Sequence, residues 1–103
     1  MVGKEVVTIQ SGASEVTANP SDDVVEVVST LIRFDTTNTG EPETTKGEAE
    51  CAQWVAEQLA AVGYAPHYVE SGAPGRGNVF VRLPGADSSR GALLIHGHLD
   101  VVP

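Results

Sequence analysis

Only one cysteine occurs among the 103 residues, so no internal disulfide is available and the chain suits a reducing compartment. Basic residues are scarce too: six Lys and Arg face 14 Asp and Glu, for a formal charge of −8, and they form no cluster. That balance argues against nucleic acid and anionic membrane faces as partners. The N-terminus has no charged stretch leading into an apolar core of signal-peptide length, and no apolar run approaches a membrane span. Repeats and low-complexity segments are lacking as well. A soluble cytoplasmic protein is the expectation.

What is present is a hydrophobic content of 41%, enough to support a folded core in one small domain or part of a larger one. Residues 1–20 are small, polar and β-branched, and read as a disordered tail; weak alternation in Val6-Val7-Thr8-Ile9 admits a short edge strand instead. Pro20-Ser21-Asp22-Asp23 signals a helix start with Ser21 as N-cap. Val24, Val27, Val28, Leu31 and Phe34 follow at helical spacing, and the helix should end near Asp35. After a polar loop over 36–44, Thr45-Lys46-Gly47-Glu48 has the spacing of a capping box. It opens a second helix with Cys51, Val55, Leu59 and Val62 on one face and Gly63 as its stop. Tyr64 to Glu70 reads as an edge strand, because Pro66 would deprive a central one of a ladder donor. Asn78 to Leu83 alternates as a further strand. Ala92-Leu93-Leu94-Ile95 is continuously apolar and predicts a buried strand of a parallel or mixed sheet. Two helices followed by three strands describe the opening of an α/β domain.

Several motifs have ordinary explanations. Gly72-Ala73-Pro74-Gly75-Arg76-Gly77 is neither a dinucleotide fingerprint nor a Walker loop, and reads as a turn. Cys51 lies on an apolar helix face and reads as core. His67 reads as a solvated strand residue, and Glu41, Glu43, Glu48 and Glu50 as a solvated helix start. His98 and Asp100 stand apart, because open α/β sheets build their sites just past the carboxyl ends of strands. A histidine there is a natural metal ligand, and a carboxylate two residues on can fix its tautomer. Spacing alone leaves two readings open, a metal site or a polar strand end capped by a loop.

The run Leu93-Leu94-Ile95-His96-Gly97-His98-Leu99-Asp100-Val101-Val102-Pro103 closely resembles a known motif. It is the first metal-ligand motif of the zinc hydrolase family of acetylornithine deacetylase, succinyl-diaminopimelate desuccinylase, carboxypeptidase G and aminoacylase. Leu31-Ile32-Arg33-Phe34-Asp35-Thr36-Thr37-Asn38, a Glu-bearing second helix ending at Gly63, and Gly77-Asn78-Val79 also look like that family. The likeness covers residues 21–103 and is strongest over 92–103.

The resemblance implies that His98 is the first zinc ligand and that Asp100 is the catalytic-site carboxylate orienting it. His96 falls at a variable position. The implied fold is the opening of a zinc-exopeptidase-like catalytic domain, cut off after the first metal-ligand strand. The remaining ligands, a general-base glutamate and a dimerising domain would lie beyond Pro103. The implied chemistry, in a complete and homodimeric parent, is amide hydrolysis of N-acyl amino acids or small peptides. Two zinc ions, with cobalt as an alternative, would polarise the carbonyl and hold hydroxide. A reading from another class is a non-catalytic α/β binding or interaction module that keeps only the opening of the fold.

Overall fold

The computed structural model describes residues 5–8, 23–70 and 72–103. Their elements, in chain order, are β1 (Glu5–Thr8), α1 (Val24–Arg33), α2 (Ala49–Ala61), β2 (His67–Glu70) and β3 (Gly77–Phe80). The result is a small mixed α/β arrangement with an antiparallel sheet. No helix of the described residues is long and apolar enough to cross a membrane.

The sheet runs β1-β2-β3, with Val6 opposite Val69 and Tyr68 opposite Val79. Two expectations change here. Glu5–Thr8 is a strand where a tail was expected, and the rest of residues 1–20 lies outside the described residues. Because β1 takes one side of β2, the segment expected at the edge is central instead. Pro66 does not disturb the ladder, since β2 begins one residue after it. His67 is half-buried rather than solvated, its ring stacked on Phe80 at a centroid distance of 4.9 Å.

In α1 the N-cap is Asp23, whose side chain accepts a 3.0 Å hydrogen bond from the Glu26 amide; the expected cap, Ser21, lies outside the described residues. The apolar stripe exists on the helix, yet no α1 residue is buried. Phe34, its C-cap residue, meets Trp54 of α2 with ring centroids 6.0 Å apart.

The core is carried by α2, which packs on β2 and β3. Its buried face is Ala52, Ala56 and Ala60 with Cys51; of the expected Cys51, Val55, Leu59 and Val62 face, Cys51 is buried and the rest of the face is rotated toward the alanines. Alanine at i, i+4 and i+8 leaves little side chain between helix axis and sheet, so the two approach closely. Val55 and Leu59 are half-buried at the margin of that contact. Burial pushes the Cys51 thiol above its ordinary range, in keeping with a packing role.

The helix starts at Glu48 without the capping-box bond, because Thr45 Oγ1 is drawn instead to the Glu41 carbonyl at 2.8 Å. The amides of Glu48 and Ala49 both donate to the Gly75 carbonyl, at 2.9 and 3.0 Å, which ties the helix start to the 72–77 turn. At the other end Gly63, at φ +97°, closes a Schellman motif: its amide reaches the Ala60 carbonyl and that of Tyr64 reaches Leu59.

Tyr68 is the large buried side chain of the sheet, and its hydroxyl donates to Glu70 Oε1 at 2.9 Å. Burial, reinforced by the Glu70 carboxylate, pushes its pKa up to about 12. A raised phenol favours the folded state below its unfolded value near 10. That contribution is lost as pH rises toward the folded value. A tyrosinate absorbance step near pH 12, absent in Tyr68→Phe, is therefore expected, with stability falling between about pH 10 and 12. An ordinary step near 10 for this residue would contradict its burial.

The apolar run after Gly91 departs most from expectation. Residues 91–98 belong to no strand, and Leu93, Leu94 and Ile95 are 86, 81 and 86% exposed. A buried parallel strand needs neighbours on both sides and covered faces. Among the described residues neither β3 nor any other strand pairs with it. The chain rejoins the rest of the structure over Leu99 to Val101, with a parallel bridge between Val101 and Thr37.

Candidate functional site around His98 and Asp100

The site is built where the end of the chain is laced to the loop after α1. The Asn38 amide donates to the Val101 carbonyl at 2.8 Å, and the Val101 amide donates to the Thr36 carbonyl at 3.1 Å, the slanted pattern of a parallel pair. The buried Thr36 adds its hydroxyl to the Leu99 carbonyl at 2.8 Å. These bonds fix the backbone on both sides of Asp100.

His98 and Asp100 are in direct contact. His98 Nδ1 lies 3.0 Å from Asp100 Oδ1 and 2.9 Å from the Asp100 backbone carbonyl. Both neighbours are acceptors, so in the neutral ring the proton belongs on Nδ1. That leaves the Nε2 lone pair free, on a side chain that is 83% exposed. The geometry matches a carboxylate orienting a histidine.

Asp100 is held from its other oxygen. Asn38 Nδ2 donates to Asp100 Oδ2 at 2.8 Å, and Arg76 Nη2 stands 3.7 Å from the same oxygen. Arg76 is itself clamped: Nε lies 2.9 Å from both Glu48 oxygens and Nη2 is 2.9 Å from Oε1. The Asn38 hydrogen bond holds the Asp100 carboxyl below its usual range against the opposing effect of desolvation, with smaller contributions from His98 and Arg76 in the same direction as Asn38. Glu48, itself buried, is thereby withdrawn from the acidic group 41–50 into an ion pair with the half-buried Arg76.

A cleft of about 870 Å³ opens beside this cluster, between β3 and the 94–100 segment, with Val55 and Leu59 of α2 on its wall. His96 also lines it, on the segment that carries His98.

The donor set is partial. Among the described residues no three His, Cys, Asp or Glu side chains gather so as to hold a metal ion. Even a catalytic zinc takes three protein ligands. His98 offers one imidazole nitrogen and Asp100 orients it, so these residues do not by themselves hold zinc. Glu48 and Arg76 neutralise each other and leave no further free carboxylate at the cluster.

Of the residues singled out in the sequence, His98 and Asp100 are brought together, whereas Cys51 is buried in α2. The structure adds Asn38, Arg76 and Glu48. Arg76 lay within a glycine-rich turn, and Glu48 carried only a helix-start signal. No protein-family model, curated protein or solved structure matches the chain.

Proposed function

We propose that this chain carries the first metal-ligand segment of a zinc-exopeptidase-like, metal-dependent amidohydrolase. His98 Nε2 is the ligand and Asp100 the carboxylate that holds the ring. The supporting observation is the paired contact of His98 Nδ1 with Asp100 Oδ1, at 3.0 Å, in the segment that resembles the family's motif. The reading calls for further metal ligands and a general base besides these two residues. The reaction is hydrolysis of an amide bond in an N-acyl amino acid or small peptide, with zinc, or cobalt in its place, as the cofactor.

Within the chain, two tasks can be assigned. Asp100 keeps the proton of the neutral ring on Nδ1 and the lone pair on Nε2, so that the imidazole meets a cation without having to turn. The Arg76–Glu48 pair keeps the surroundings of Asp100 near neutral, which leaves its charge directed at His98.

The reading can be tested on the chain itself with cobalt(II), a paramagnetic substitute for zinc. At millimolar metal, nuclear magnetic resonance should show line broadening greatest at the His98 ring and weaker at His96, with loss of the His98 effect in His98→Ala. Binding should be weak, as one imidazole dictates. Broadening centred on the acidic group 41–50, or equal at His96 and His98, would contradict the assignment.

A further inference from the structure

The loop after α1 contributes one side chain that no metal-site motif calls for, and its hydrogen bonds leave it a single orientation. Asn38 uses both ends of its amide. Oδ1 accepts the Gly40 backbone amide at 2.9 Å, so Oδ1 is committed to a donor. Nδ2 must therefore be the end turned to Asp100 Oδ2, where it donates at 2.8 Å. The backbone of the same residue is pinned as well, by the Asn38 amide on the Val101 carbonyl. One residue thus fixes the main chain beside Asp100 and one oxygen of its carboxylate.

We propose that Asn38 is a positioning residue that locks Asp100 against His98 and so selects the His98 tautomer with Nε2 free, with Arg76 as a weaker second arm. The role of that tautomer in metal binding rests on the function proposed above, but the lock itself does not. The reasoning is geometric. A carboxylate can rotate about its side-chain torsions, and an imidazole 83% exposed can rotate about its own. Holding Oδ2 removes the first freedom, and Oδ1 together with the Asp100 carbonyl then removes the second. Arg76 contributes less because its 3.7 Å approach is an ion pair without a hydrogen bond to Asp100, and Glu48 takes its best donors.

The test needs no metal. Nitrogen-15 spectra of the histidine rings, in alkaline buffer where imidazoles are neutral, report which nitrogen carries the proton. The expected wild-type result is His98 protonated at Nδ1. In Asn38→Ala the His98 signals should move toward those of a free imidazole, which exchanges its proton between both nitrogens. Arg76→Met should move them in the same direction by less.

Asn38→Asp keeps the shape of the side chain but sets a carboxylate against Asp100 Oδ2. It should shift His98 at least as far as the alanine variant, and it carries the test should Asn38→Ala fail to fold. The His67 and His96 signals and the amide resonances of α2 serve as controls for a general structural change. Unchanged His98 signals in a folded Asn38→Asp chain would overturn the inference. A wild-type His98 protonated at Nε2 would overturn it too. The cobalt experiment can fail while this one succeeds, so the two readings are separable.

Discussion

Gly47→Ala is expected to destabilise the chain by about 3 kcal/mol and to detach the start of α2 from the 72–77 turn. Gly47 sits at φ +83°, where a residue with a Cβ loses roughly 1–2 kcal/mol. Space is the second cost. A Cβ there would lie 2.5 Å from the Gly75 carbonyl oxygen and 3.0 Å from its carbon, both backbone atoms that cannot swing aside. That oxygen is the shared acceptor of the Glu48 and Ala49 amides, each bond being worth about 0.5–1.5 kcal/mol. The substitution therefore adds strain and breaks the junction it strains. Arg76 follows Gly75 directly, so the clamp on Glu48 and the approach to Asp100 should loosen with it. Gly40→Ala is the control, since Gly40 has a similar φ of +84° but open space around it. Thermal or urea unfolding should show the Gly40 variant losing only the conformational part. Equal losses in the two variants would mean that the contact with Gly75 carries no weight.

The sequence makes α2 and the sheet legible to different degrees. Gly63 after an apolar face announces the helix stop, and the Schellman bonds are there. The buried face is harder to read, because Val55 and Leu59 are more hydrophobic than the alanines that pack. Close approach between helix and sheet selects for small residues, and hydrophobicity does not encode it. β2 was expected at an edge because Pro66 forbids only an interior position. Its central place depends on β1, whose alternation in Val6-Val7-Thr8 is too short to outweigh the polar residues around it. Leu93-Leu94-Ile95 reads as buried because an apolar run carries no periodicity to contradict it, yet burial requires neighbours that the described residues do not provide. Exposed in this way, the run is a template for association.

The candidate site was legible at its tip and hidden at its base. His98 and Asp100 are two residues apart, so their contact can be read from spacing. Asn38 is 62 positions from Asp100 in a loop of threonines, and nothing local marks it as a donor to that carboxylate. The Thr37–Val101 bridge brings them together, and a single pair of residues is too little to leave a pattern.

The central claim, that His98 binds metal while Asp100 orients it, is tested most directly by metal content and turnover together. The measurement belongs in a longer polypeptide that supplies the remaining ligands. There His98→Ala is expected to remove bound zinc and abolish hydrolysis of N-acetylated amino acids, while the fold persists because the His98 ring is mostly solvent-exposed. Asp100→Asn is expected to retain some metal and lose about 10–100-fold in affinity or rate, the usual cost of deleting a ligand's orienting partner. Its amide can still occupy the pocket beside Asn38 and Arg76 but no longer pulls the proton to Nδ1 with a full charge. Elemental analysis should rank zinc content as wild type above Asp100→Asn above His98→Ala, with turnover in the same order. Full zinc occupancy and normal turnover in His98→Ala would contradict the account.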